Sequence, residues 1–513
     1  MDESAGFAAR YGSLVFLVAV GVIGLSVAHV LDRYREAEGA PEASSVPSTS
    51  AAVLPAAPPP PPPPLPGRAR WLAVGGGADP VSNQVSIEQN LALAAEVLGP
   101  EGILLYAGGA GRSPVHELGP PPSEDLHRDL GAFFDPRDGR GARYRPTRLV
   151  PHGPAEVELF QRHLDEQLAG EGPPLLLVMV AHGEVGKTPA DNFVPLWGGD
   201  GVTVKELAET LDRVESPRPL RAVVTTCFSG GFAELAFAGA DPQAGPAAQD
   251  RCGLFAATWD REASGCDPNP DRRQQESYAL HFFHALRHQD RSGKPLTSGL
   301  DLDGDGAISL LEAHTRVRIA SRAFSVPTTT AERWLAEAAP ATGPQKALPL
   351  PEERAVIAAL GAKLDIDDEV AAEARQTTLT GRLEASDTRL MLAERDEEAS
   401  FRALRIALLE RWPVLDDPYH PAYAETLDRE SAAIEAFLAD SAEAEERAEV
   451  LDRIDGLRRE VDALEVELAA VERLNRAYDT VARAERLHHR GGEAFATYQR
   501  LLACERWVPD LKP

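Results

Sequence analysis

The chain reads as an α/β protein: a mainly parallel sheet followed by a long helical segment. Three observations carry that expectation. Apolar runs at 71–74, 103–106, 175–180, 222–225 and 253–258 alternate with amphipathic stretches at 87–98, 154–169, 204–213 and 276–287, the succession of strand, crossover helix and parallel strand. Two of these runs deliver a reactive side chain and glycines at their ends, His182-Gly183 and Cys227-Phe-Ser-Gly-Gly231. Beyond about residue 340 the apolar spacing lengthens to that of packed helices.

Residues 14–31 form an apolar run broken only by Ser26 and His29, near the minimum length for spanning a bilayer. Asp2 and Glu3, with Arg10 as the sole cation before it, favour an uncleaved anchor over a signal peptide cut after Ser26-Val27-Ala28. Residues 36–67 are linker, and its uninterrupted run from Pro58 to Pro64 favours an extended polyproline rod.

The α/β pattern opens at Trp71-Leu-Ala-Val74 and continues through a helix at 87–98 to Ile103-Leu-Leu-Tyr106. Residues 108–153 are rich in Gly, Pro and Arg and read as an irregular insertion. A helix at 154–169 leads to the strand 175–180, and 204–213 forms the helix before Ala222–Thr225. After that strand, Ser229-Gly230-Gly231 make a turn, with a helical run expected at 232–237. The whole stretch 68–338 reads as one domain.

Prolines at 340, 344, 349 and 351 mark the start of a helical domain, 339–513. Val450, Ile454, Leu457, Val461, Leu464, Leu468 and Val471 alternate spacings of four and three, with Asn475 and Tyr478 continuing the register. A weaker stripe (Leu379, Leu383, Leu390, Leu404, Leu408) runs through 353–411. A long antiparallel hairpin is expected, with a coiled-coil partner or homodimer through the same stripe as the alternative.

Formal net charge is −28, which argues against a nucleic-acid partner, since phosphate backbones reward basic surfaces. Cys227, Cys252, Cys266 and Cys504 are too few for a disulfide scaffold. Cys252 and Cys266 are close enough in sequence to pair, with buried free thiols as the alternative.

Gly186-Lys187-Thr188 follows an apolar strand, as in a phosphate-binding loop, but Ala181 stands where that motif needs its first glycine. Pro189 and Pro195 prevent the helix that should begin there. Nucleotide hydrolysis is excluded on those mechanics. His182 and Cys227 pass the equivalent test. A thiol at a strand end, beside the start of a helix, sees N–H groups that favour the thiolate. A histidine on the neighbouring strand serves as acid and base, and the unobstructed N–H of Gly183, with that of Cys227, supplies an oxyanion hole. Gly198-Gly199-Asp200-Gly201 lies between them in sequence and is placed to rim the cleft.

These pieces, with Phe255-Ala-Ala-Thr-Trp-Asp-Arg-Glu-Ala-Ser-Gly-Cys266 and Tyr278, resemble the caspase–hemoglobinase clan, the legumain family being nearest. The resemblance spans roughly 70–325 and implies a six-stranded, mainly parallel α/β/α sandwich with His182 and Cys227 as catalytic dyad. It also implies that Ser264 lies near the primary specificity pocket, with the Asn83-Gln84 turn lining it from the other side. His281 stands about where legumains carry an acidic pocket residue, so no preferred residue at the cleaved bond is assigned. The family includes transamidases, so transfer to an amine is an alternative to hydrolysis.

Asp301-Leu-Asp-Gly-Asp-Gly-Ala-Ile-Ser-Leu-Leu-Glu312 matches the twelve-residue EF-hand loop. It predicts calcium ligands at Asp301, Asp303, Asp305, the Ala307 carbonyl, Ser309 and Glu312. The expectation is therefore a membrane-anchored cysteine endopeptidase acting on protein or peptide substrates, with calcium as a structural or regulatory ion. The alternative in another class is a catalytically silent scaffold acting through calcium and coiled-coil contacts. The N-terminal anchor and proline spacer place the expected enzyme at a bacterial inner membrane, its catalytic domain outside the cytoplasm.

Overall fold

A computed structural model describes residues 61–119, 125–135, 141–215, 217–296 and 299–511. Strand β1 (Trp71–Gly76) leads through helix α1 (Val85–Leu98) to β2 (Gly102–Tyr106). The insertion that follows is more ordered than its composition implies. It holds β3 (Pro114–Leu118), α2 (Leu126–Phe134) and β4 (Ala142–Pro146), with β3 and β4 paired antiparallel. Helix α3 (Val157–Leu168) precedes β5 (Leu175–Ala181), and a small hairpin of β6 (Phe193–Pro195) and β7 (Gly201–Thr203) precedes α4 (Val204–Arg213). The sheet continues with β8 (Leu220–Val224), β9 (Arg251–Phe255) and, beyond α5 (Tyr278–Ala285) and α6 (Leu310–Ala320), with β10 (Thr328–Thr329).

The main sheet has six strands in the order β10-β9-β8-β5-β1-β2, all parallel except β10. Side chains alternate between its faces. Trp71, Ala73, Leu176 and Val178 pack with α1, α5 and α6, while Leu72, Val74, Leu177 and Met179 pack with α3 and α4. Covering on both faces is why the strands read as continuous apolar runs. Successive parallel strands are added first on one side of β1 (β2) and then on the other (β5, β8, β9), so the order reverses between β1 and β5. A crevice beyond the carboxyl ends of the strands at such a reversal is where open α/β sheets place their ligands.

Six helices complete the chain: α7 (Thr330–Ala338), α8 (Pro351–Leu364), α9 (Glu369–Arg411), α10 (Tyr423–Asp440), α11 (Ala442–Arg490) and α12 (Gly492–Glu505). Helices α9 and α11 form an antiparallel hairpin, with ion pairs Arg389–Glu460, Arg458–Glu394 and Arg447–Glu397 along it. The heptad stripe of α11 is therefore used within the chain, against buried α9 positions Ala372, Leu379, Ser386, Ala393 and Ser400 spaced seven apart. Asn475 continues that stripe by donating to Gln376 Oε1 at 2.6 Å. Near the loop end of the hairpin, α2 from the insertion packs against it through Leu130, Leu408 and Tyr423.

The helical segment returns to the sheet. Cys504 of α12 forms a disulfide with Cys252 of β9, and Cys227 and Cys266 are free, so the pairing of Cys252 with Cys266 is not the one adopted. Buried Glu505 accepts from Thr330 Oγ1 and the Ala331 N–H, both at 2.7 Å, satisfying donors at the start of α7.

The single-pass membrane placement needs correction: among the described residues no helix is long and apolar enough to cross a membrane. The 14–31 run on which the transmembrane expectation and the localisation rested lies outside the described residues, as does most of the proline-rich stretch.

Candidate active site

The parallel register of β5 and β8 aligns Met179 with Val224, and the Thr225 N–H donates to the Met179 carbonyl at 3.0 Å. His182 and Cys227 each lie three residues past that aligned pair, so they leave adjacent strands at the same level. Gly183 shows how near the two chains run: a Cβ added there would collide with the Cys227 carbonyl and come within 2.9 Å of Thr226 Oγ1. Any larger residue at 183 would force them apart. His182 and Cys227 are both half-buried.

Beyond Cys227 the backbone turns abruptly. Phe228 has φ of 55°, a left-handed conformation unfavourable for a bulky residue, and a 3₁₀ helix runs from Ser229 to Ala236. Surrounding contacts hold that conformation. The Phe228 N–H donates to the Arg261 carbonyl at 2.7 Å, and Ser229 Oγ accepts from the Ala257 N–H at 3.2 Å. Gly230 lies so close to the Ala257 carbonyl and the Trp259 amide that a Cβ would sit 2.6 Å from each. Asn192 ties the neighbouring loops together. Its Nδ2 donates to the Phe228 and Trp259 carbonyls at 2.9 and 2.6 Å, and its Oδ1 accepts from Gly186 N–H at 2.8 Å.

The Cys227 thiol faces the loop after β9. Its Sγ accepts from the Ala263 N–H at 3.3 Å and lies 3.5 Å from the Ala263 carbonyl. Burial raises the thiol above its ordinary value; the N–H groups of Ala263 and of Cys227 itself oppose this, and the carboxylates of Glu262 and Glu184 add to it. Among the described residues the Gly183 N–H has no hydrogen-bond acceptor.

His182 is oriented from the turn after β1. Its Nε2 lies 2.9 Å from the Ser82 carbonyl, which only accepts, so Nε2 carries a proton and, in the neutral ring, the lone pair falls on Nδ1. Asp79 shapes the turn that presents this carbonyl, because its Oδ1 accepts from the N–H groups of Val81 and Ser82 at 2.8 and 2.9 Å. The Ser82 N–H, and more weakly His182, hold the Asp79 carboxyl below its usual range.

Ser264 directly follows Ala263, is half-buried, and donates its N–H to Ser325 Oγ at 3.0 Å. Asn83 follows Ser82, but its buried side chain accepts from Gly77 N–H at 3.1 Å and donates to the Pro114 carbonyl at 2.9 Å. Its atoms are spent on holding the turn. Gln84 precedes α1, and its Oε1 is buried without a partner among the described residues. Ser264 thus lies beside the residue that contacts Cys227, and the Asn83-Gln84 turn follows the residue that contacts His182. The Gly198 N–H donates to the Ala78 carbonyl at 3.0 Å, docking the glycine segment on the turn after β1. Sequence inspection missed Ser82, Asp79, Ala263, Glu262 and Asn192. Only the Asp79-Pro-Val-Ser82 turn carried a recognisable side-chain signal.

In the acidic loop, carboxylate oxygens of Asp301, Asp303 and Asp305 lie within 4.8 Å of one another and are exposed. Gly306, with φ of 88°, donates its N–H to Asp301 Oδ2 at 3.0 Å, and the Ala307 N–H donates to Asp305 Oδ1 at 2.8 Å. Glu312 is turned elsewhere: it accepts from the Leu302 N–H at 2.6 Å and from the Ser309 N–H and Oγ at 2.9 Å. Ser309 in turn caps α6. Three carboxylates therefore suit a hard cation, while Ser309 and Glu312 are occupied in the helix cap.

The fold and site define a mainly parallel α/β protein that places a thiol and an imidazole just past the carboxyl ends of adjacent strands. No family model matches the chain, and no curated protein matches it.

Proposed function

We propose that this chain is a cysteine endopeptidase of the caspase–hemoglobinase kind, with His182 and Cys227 as its dyad. The observation that carries this is the alignment of the two residues past the paired ends of β5 and β8, with Gly183 packed on the Cys227 carbonyl. A six-stranded, mainly parallel sheet with helices on both faces supports the fold assignment.

In the reaction, Cys227 Sγ–H gives its proton to His182 Nδ1, and the sulfur attacks the peptide carbonyl carbon. The N–H groups of Gly183 and Cys227 receive the developing oxyanion. The protonated imidazole then passes its proton to the leaving amine as the C–N bond breaks, leaving a thioester on Cys227. Water, deprotonated by His182, cleaves the thioester and restores the thiol. By accepting from Nε2–H, the Ser82 carbonyl directs proton transfer to Nδ1 whenever the imidazole is neutral. Because burial keeps Cys227 largely protonated at neutral pH, the histidine has to act as a base in the first step.

Calcium at the 301–312 loop belongs to the same proposal, supported by the three convergent carboxylates. Asp301, Asp303, Asp305 and the Ala307 carbonyl would hold the ion, which would supply fixed positive charge near the start of α6.

A thiol-directed probe applied to wild type and Cys227→Ala, with peptide-library cleavage measured in parallel, tests the enzyme. Labelling confined to Cys227 and cleavage abolished in the variant are expected. Absent labelling together with no cleavage, in calcium and in chelator alike, would leave the silent scaffold. Calcium is read independently of activity, as a rise in melting temperature lost in Asp303→Asn.

A further inference from the structure

A cavity of about 260 Å³ lies between the loop after β9, helix α5 and the turn that follows it. Its walls are Arg272, Arg273, Leu280, His284, Arg291 and Ser292. Three arginines around one cavity are conspicuous in a chain of formal charge −28.

Their counter-charges are incomplete. Arg273 is paired with Asp271 at 2.7 Å. Arg291 donates to the carbonyls of Arg273 and Gln275, and its Nε is 3.4 Å from Glu276, whose carboxylate already accepts from His281 at 2.6 Å. Arg272 has no carboxylate partner among the described residues. It donates only to the neutral side-chain oxygens of Asn90 and Gln275, at 2.6 and 2.9 Å. Asp290, the nearby acid in the turn, spends its Oδ1 on Ser292 and the Lys294 N–H. Burial and the neighbouring Arg291 push the Arg272 guanidinium down to about 10. A half-buried cation without its counter-ion is costly, and an anion entering the cavity would relieve that cost.

We propose that this cavity is an oxyanion-binding site, for phosphate or for a carboxylate-bearing ligand, held by Arg272 and Arg291. The planar fork of a guanidinium matches two oxygens of either group, which a single ammonium would not. Neither His182 nor Cys227 lines the cavity, and the site does not depend on the peptidase proposal.

Calorimetric titration of the full chain with inorganic phosphate, at ionic strength matched with sodium chloride, tests it. A short polyglutamate peptide forms the second arm and distinguishes a free oxyanion from acidic side chains of a protein. Two variants are needed. Arg272→Gln removes the unpaired cation, and Ser292→Glu places a carboxylate at the exposed cavity wall without touching the core. Saturable binding of either probe, weakened at least about tenfold in both variants, is expected. Absence of saturable binding by both probes up to about 10 mM overturns the proposal, as does binding that is unchanged in Ser292→Glu.

Discussion

Cys227 is pulled in two directions: burial and the carboxylates of Glu262 and Glu184 hold the proton on sulfur, while the Ala263 N–H favours its loss. The balance lies toward the thiol, so reactivity should climb with pH beyond the ordinary thiol range. Replacing Glu262, which is exposed, by Gln removes one negative charge and lowers the thiol's pKa. Alkylation of Cys227 at neutral pH should then be about two- to threefold faster, with the rate–pH curve displaced to lower pH. A curve unmoved or displaced to higher pH would remove Glu262 from the site's electrostatics. His182 and Cys227 were visible in the sequence because each ends an apolar run, with Gly183 directly after one and the Ser229-Gly230-Gly231 turn shortly after the other. The partners that orient them were not, because the Ser82 carbonyl and the Ala263 amide are backbone groups that any residue type carries.

At the scale of elements, local periodicity located the strands and long helices well, and α4 falls on 204–213 as expected. The insertion was harder. Its strands β3 and β4 are short, and their alternation is obscured by Arg143 and Arg145, which both pair with the buried Glu117. The weak stripe of α9 has a similar cause, since Ala and Ser fill buried heptad positions where the hairpin is closely packed. The Cys252–Cys504 disulfide joins β9 to α12 across 252 residues of sequence. Constraining so long a loop in the unfolded chain is worth about 2–5 kcal/mol. The double variant Cys252→Ala with Cys504→Ala should therefore unfold at lower urea concentration, and reduced wild type should approach it. Equal midpoints for oxidised wild type and the double variant would show that packing of α12 alone holds it to the sheet.

Over the whole molecule, one buried acid makes stability depend on pH. Glu505 is raised to about 8, chiefly by burial, from an ordinary carboxylate value of 4.5. The folded chain therefore keeps this proton after the unfolded chain has released it. The resulting stabilisation is full below 4.5 and is lost as pH rises toward 8. Glu505→Gln keeps an acceptor for Thr330 and Ala331 and cannot ionise. Urea midpoints measured at both ends of that window should fall for wild type and change less for the variant, the difference amounting to about 1–3 kcal/mol. Parallel slopes for the two proteins would place the pH dependence elsewhere.

Sequence alone determined the α/β alternation, the helical C-terminal segment, and the thiol and imidazole at two strand ends. All of these follow from patterns a few residues long, since a strand repeats every two residues and a helix every 3.6. Tertiary structure alone decided that β5 and β8 lie side by side in a register that levels His182 with Cys227. It decided that Cys252 finds Cys504, and that Glu312 and Asn83 spend their side chains on a helix cap and a turn, while Arg272 meets no carboxylate among the described residues. These depend on where distant segments return in space, which no local period encodes.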